Sequence, residues 1–326
     1  MIPLPLGRRG HLGVFKQAAW ETPGAATDYT RFISESLAPD LEQIQEGNIL
    51  QGVMYKGRSY PGLRRHNGGV LMDAHPNITG FWFLSGVGPV TTTVLEASVR
   101  WQHAFAWRSA EFHADCFAQP LTLELHKDLG QAFRFSDAVV NGWELRWGIG
   151  QKIVAVEPTF IAKSMSRITA TSPTFPATEP FRWHHALVTL PDPTAFARMI
   201  DMRVNVNWNL EGKAYIDGTR EIDRIHFTDT DPVVTISGRM LGISTEWDAY
   251  DLSTLRFLKV DWTGPVLGAG NYKLMLEAKK MLYTSYKPHI TGGGEVEVDF
   301  EAIAEYDAAT AGTPLAMTLQ NSKASY

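Results

Sequence analysis

The dominant pattern along this chain is alternation of apolar and polar side chains with period two, which places successive residues on opposite faces of a strand. Val204, Val206, Trp208 and Leu210 alternate with Asn205, Asn207 and Asn209, predicting a half-buried strand with its amides on the other face. Val296, Val298, Phe300 and Ala302 alternate in the same way with Glu295, Glu297, Asp299 and Glu301, behind a triple glycine at 292–294. That strand carries a continuous acidic face. Further strands are predicted over 98–107, 121–126, 138–147, 152–162, 182–190, 232–239 and 271–281, most of them bounded by Gly, Pro, Asp or Asn. Helical signals are short. One covers 77–85. The other covers 251–260, with Asp251 as cap and Leu252, Leu255, Phe257 and Leu258 at mixed three- and four-residue spacing. The chain reads as mainly β.

The elements recur in order. Each predicted helix is preceded by an apolar strand (69–73; 232–239) and, before that, by a longer one (49–56; 202–210), and each is followed by a strand pair ending in a long alternating segment (139–162; 289–305). A Gly-Pro-Val tripeptide follows both helix candidates, at 88–90 and 264–266. Collinear order of this kind is the signature of a duplication. The boundary falls in 171–180, a Pro/Thr-rich stretch with the composition of an exposed linker.

Composition narrows the function classes. With 326 residues, 44% hydrophobic and 11% aromatic, the chain can bury more than one core, so two domains are expected. The single cysteine, Cys116, permits no intrachain disulfide, and synthesis in a reducing cytoplasm follows. The opening stretch, MIPLPLGRRGHLGVFK, holds no apolar run able to serve as a secretory core, and no window approaches the roughly 20 apolar residues of a membrane span. A net charge of −5 argues against a basic groove that clamps nucleic acid.

Candidate chemistry is sparse. His103, His113 and Cys116 form the densest potential ligand group, but no second ligand pair stands near at matching spacing, and the reading as structural residues is preferred. His184 and His185 are adjacent on a predicted strand and so point to opposite faces. No Gly-x-Ser-x-Gly elbow is present, and the glycines of 264–270 lack the Lys-Ser/Thr of a phosphate loop. No catalytic residue, metal ligand or cofactor site is assigned. Ten tryptophans on a β scaffold keep sugar stacking open as an alternative. The acidic strand reads either as a charged edge that blocks aggregation or as the lining of a channel, whose carboxylates would let a polyanion slide without sticking.

Several phrases resemble the tail tube proteins of long-tailed bacteriophages, in particular the large two-domain kind with a duplicated tube fold. They are Trp20-Glu-Thr-Pro-Gly24 leading to Phe32-Ile-Ser-Glu-Ser-Leu37, the Gly-Pro-Val-Thr-Thr-Thr93 passage leading to Trp101-Gln-His-Ala-Phe-Ala-Trp107, and Val139-Val-Asn-Gly-Trp-Glu-Leu145. The resemblance covers nearly the whole chain and is stronger over 30–164. It implies two tandem β-sandwich or barrel-like tail-tube domains, each with a short helix packed on a sheet, over 48–170 and 181–307. They are flanked by arms at 1–47 and 308–326 and joined by 171–180. It further implies a non-enzymatic structural protein of the virion. Its three-chain, pseudo-sixfold rings would stack into a tube that houses the tape measure protein, meets tail terminator and tail tip proteins, and passes DNA without specific binding. Glu295, Glu297, Asp299 and Glu301 are then the candidate lumen-lining residues, although the first-half counterpart, 152–160, lacks their acidic alternation. The alternatives are a carbohydrate-binding module or glycosidase on a β-sandwich, and another virion component such as a baseplate or connector protein.

Overall fold

The computed structural model describes residues 9–45, 59–107, 119–191, 194–216, 218–228, 231–290, 294–306 and 313–326. In chain order these form β1 (His11–Lys16), β2 (Asp28–Thr30), β3 (Ser34–Glu35), β4 (Ala38–Gln45), β5 (Ser59–Asp73), α1 (Thr79–Gly86), β6 (Val90–Glu96), β7 (Arg100–Phe105), β8 (Leu121–His126), β9 (Gln131–Gly148), β10 (Ala155–Ala162) and β11 (Ser164–Thr169). After a short 3-10 turn at Trp183–His185 come β12 (Ala186–Thr189), β13 (Met199–Asn207), β14 (Leu210–Lys213), β15 (Arg224–Phe227), β16 (Val233–Leu241), α2 (Ser244–Asp251), β17 (Arg256–Leu267), β18 (Gly270–Ile290), β19 (Val296–Ala304) and β20 (Ala316–Asn321). The molecule is mainly β, with antiparallel sheets and two short helices, as the period-two pattern predicts.

One antiparallel ladder runs through the whole chain in the order β4-β5-β10-β9-β13-β16-β19-β18. Two further ladders, β2-β1-β8-β9-β11 and β12-β17-β18-β20-β7-β6, share the long strands β9 and β18 with it. Each long strand gives one half to the common ladder and the other half to a second one. One hydrophobic cluster, including Trp82, Trp143, Trp208 and Trp262, fills the space between them.

The pairings repeat. β1–β8, β4–β5, β5–β10, β8–β9, β9–β10 and β9–β11 are matched by β12–β17, β13–β16, β16–β19, β17–β18, β18–β19 and β18–β20. Even the irregularities coincide. The register of β8 on β9 slips between Leu121 and Leu123, and that of β17 on β18 between Arg256 and Leu258. The slip between β9 and β10 falls between Val140 and Gly142, the latter facing Thr159, and the slip between β18 and β19 falls between Tyr283 and Ser285, the latter facing Glu301. Ser34 on Leu71 in turn corresponds to Asp201 on Arg239, so β3 and β4 together are the counterpart of β13.

Three expectations are corrected. The second helix lies at Ser244–Asp251 rather than 251–260, because Leu258, Val260 and Trp262 alternate into the core of β17. The Gly-Pro-Val tripeptides are not equivalent, since 88–90 leads into β6 while 264–266 lies within β17. Residues of the expected arms belong instead to the folded body: β1 is buried between β2 and β8, and β20 lies between β18 and β7. Tyr326 is buried against Phe81 with ring centroids 5.1 Å apart, and Lys323 reaches Asp28 at 2.6 Å. The 171–180 stretch is held by a bond from Thr171 to Glu124 and by His75 at the Thr178 carbonyl. The 49–56 strand lies outside the described residues.

The two repeats meet where β9 pairs with β13, and α1 ties them. The indole N–H groups of Trp143 on β9 and Trp208 just past β13 both donate to the Gly86 carbonyl at the end of α1, at 3.1 and 2.6 Å. The strands approach so closely that a Cβ at Gly142 would stand 2.6 Å from the Val206 carbonyl oxygen. Only glycine fits there.

Candidate functional site

The common ladder is covered on one face and bare on the other. Helix α1 packs onto β9 and β10, and α2 onto β18, and on that side Val156, Val204, Ile236 and Phe300 of β10, β13, β16 and β19 are buried, while β4 at the ladder's end stays exposed. The bare side is polar. On β19, Val298, Phe300 and Ala302 are buried while Asp299 and Glu301 are exposed and Glu297 is half-exposed; Glu295 stands exposed just before the strand. The alternation thus puts the candidate residues on one face, as a two-residue period requires.

Their neighbours change the electrostatics. Asp299 lies between Arg239 on β16 and Lys287 on β18, and Glu297 lies beside His289. Arg239 bridges Asp201 at 3.0 Å and Glu297 at 3.2 Å, and the bond to Asp201 holds its guanidinium even more firmly charged. His289 is 3.8 Å from Glu297 and 3.7 Å from Asp299. Further along the same face, Arg146 meets Glu157 at 2.7 Å and Arg203 meets Glu144 at 3.4 Å. Arg146, Arg203, Arg239, Lys287, Asp299 and Glu301 border one shallow concavity. The acidic strand is one stripe in a mixed-charge surface. The cations that complete it stand on other strands, from Lys287 and His289 across the β18–β19 connection to Arg239 on β16 and Arg146 in the first repeat, and no local spacing marks them.

The other singled-out residues serve the fold. His103 is buried: its Nε2–H donates to the Lys323 carbonyl at 2.9 Å and its Nδ1 accepts from the Thr92 hydroxyl at 2.9 Å, and burial pushes its pKa down. His113 and Cys116 lie outside the described residues. His184 and His185 lie in the 3-10 turn, not on a strand, with their rings 4.6 Å apart edge to face. Among the described residues no three His, Cys, Asp or Glu side chains gather as a metal site. Glu246, on α2, is a buried carboxylate satisfied by the Tyr283 hydroxyl at 2.9 Å and Arg256 at 3.2 Å. Trp82, Trp143, Trp208 and Trp262 are fully buried, which removes them as platforms for sugar stacking.

A duplicated β scaffold with a long open ladder and a salt-bridged polar face, with no metal cluster among the described residues, is the arrangement of a structural protein. Residues 7–265 match the family model described as phage tail tube protein, and the chain belongs to that family. It is a structural component of the virion tail. No curated protein matches the chain. No helix among the described residues is long and apolar enough to cross a membrane.

Proposed function

We propose that three copies of this chain close into a pseudo-sixfold ring and that rings stack into the tail tube, with the bare face of the common ladder as the lumen wall. The observation that carries this reading is the ladder itself. It contains two matching sets of four strands, it joins them within one chain through β9 and β13, and among the described residues it ends on an unpaired β4 at one side and the unpaired outer edge of β18 at the other. Exposed strand edges must be paired, covered or charged, and closure into a ring pairs them all. Each chain then supplies two tail-tube units, one on either side of 171–180.

The helices and the other ladders cover one face, so the polar face lines the interior. Glu295, Glu297, Asp299 and Glu301 belong to that lining. Its arginines are already matched by carboxylates, and matched cations offer little to phosphates, so a duplex slides past rather than binding. The tube would house the tape measure protein before release and meet terminator and tip proteins at its ends. Negative-stain electron microscopy of concentrated protein, with size-exclusion chromatography of a dilute sample, tests the reading. Stacked rings with a central hole are expected; a monomer at every concentration, in the presence of the tape measure protein as well, would refute it.

A further inference from the structure

We infer that residues 36–40 of one copy pair antiparallel with residues 285–289 of the next, in a register set by the seam already present inside the chain. The inference rests on the ring reading and makes it residue-specific. Within the chain, Arg203 faces Arg146, Val204 faces Leu145, Asn205 faces Glu144 and Asn207 faces Gly142. The repeat places Ser36, Leu37, Ala38 and Asp40 where β13 carries Arg203, Val204, Asn205 and Asn207, and places His289, Pro288, Lys287 and Ser285 where β9 carries Arg146, Leu145, Glu144 and Gly142. Carrying the internal seam across to a second copy sets Ser36 opposite His289, Ala38 opposite Lys287 and Asp40 opposite Ser285.

Three independent features agree. Backbone direction is the first. The Val206 carbonyl points at β9, and Ser36 donates its N–H to Gly69 on β5, so the counterparts Leu37 and Pro39 turn their backbone outward to the free edge. A proline there removes no bond to β5 but gives the opposite Tyr286 carbonyl no N–H, so the Pro39–Tyr286 and Leu37–Pro288 pairs keep one backbone bond each, and the outward Leu37 carbonyl is taken instead by Lys127 at 3.0 Å. Apolar exposure is the second. Trp147 is 5% exposed inside the chain, whereas its counterpart Ile290 is 69% exposed at the free edge. Likewise Trp208 is buried at the end of α1, while its counterpart Leu41 is 47% exposed, and the matching end of α2 shows Leu252, 73% exposed. The same operation lays Leu41 of one copy onto Leu252 of the next. Charge is the third, since Asp40 comes diagonally opposite Lys287.

Paired cysteines on a Cys116→Ser background test the register. Ala38→Cys with Lys287→Cys places the two Cβ atoms directly opposite across a non-hydrogen-bonded pair, within disulfide reach, whereas Ala38→Cys with His289→Cys is diagonal and about 7–8 Å apart. Oxidation of assembled protein is expected to give at least about tenfold more covalent trimer from the opposite pair than from the diagonal one. Equal or inverted yields in samples whose rings are visible by microscopy would overturn the register while leaving the ring reading intact. Absence of rings from the reduced samples and from the unsubstituted protein would overturn both. Leu41→Glu supplies a second arm: a folded monomer with unchanged melting that forms no rings is expected, and normal rings would count against the inference.

Discussion

The two helices occupy equivalent places in the two repeats and live in different surroundings. Every residue of α1 is buried, with Trp82, Phe83 and Phe81 packed against Phe160, Trp143 and Tyr326. On α2 only Glu246 and Ala249 are buried, and Trp247 is 44% exposed. The ladders beneath them match, so the difference comes from what lies above. The second repeat covers α1 with Trp208 and the C-terminal segment, whereas nothing among the described residues of this chain does the same for α2. An element's burial is therefore decided here by the next repeat along, and the last repeat is left waiting for one.

Substitutions at matched positions sharpen that contrast. The largest effect is expected for Trp143→Ala, which empties a fully buried site and frees the Gly86 carbonyl of one donor; a loss of about 3–5 kcal/mol is expected in urea unfolding. Its counterpart Tyr286→Ala should cost the monomer less, because part of the ring's packing comes from the open helix α2 through Trp247 and Tyr250, the rest from Tyr283 and the Ile243 carbonyl. Equal losses would mean that α2 is as well packed as α1. Next comes Glu246→Ala, which leaves Arg256 and the Tyr283 hydroxyl without their shared acceptor and is expected to cost about 1–3 kcal/mol.

Acid should act chiefly on the first repeat. His11, His75 and His103 all lie there, and burial holds each below the ordinary value of 6.5, as it does for His185 ahead of β12 in the second repeat. The unfolded chain therefore takes up protons that the folded chain resists, so stability is full above about pH 6.5 and declines as pH falls below it. A melting temperature that drops between pH 7 and pH 5, with a shallower drop in His103→Gln, is expected; a flat profile would contradict the burial of these rings. The smallest effect on folding should come from changing Glu295, Glu297, Asp299 and Glu301 to lysine. Exposed ion pairs are worth at most about 1 kcal/mol each, so each single change should lower melting only slightly, although the four together set lysines beside Arg239, Lys287 and His289. Infectivity should nonetheless fall, and unchanged infectivity would put that face outside the lumen.

Much of this was legible in the chain. The alternations at 204–210 and 297–302 correctly split the two faces, because a strand covered on one face leaves that mark wherever it lies, while Val296, expected on the buried face, is exposed at the start of β19. The boundary of α2 was not legible, since adjacent Phe257 and Leu258 mimic a helical spacing at the mouth of β17. Nor were the roles of the terminal segments. His11–Lys16 runs HLGVFK with no clear period because β1 is buried on both faces for most of its length. The salt-bridged character of the polar face was invisible for a different reason: Arg239 and Glu297 are brought together only by the pairing of β16 with β19.

The long strands β9 and β18 have a mechanical consequence. Each passes without a loop from a second ladder into the common one, so a force applied to the second ladders reaches the common one through a covalent chain rather than through sliding layers. Shearing one ladder past the other would require breaking rows of backbone hydrogen bonds together. A body built this way resists deformation as a single stiff plate, and in the proposed tube it would help to keep the bore open under load.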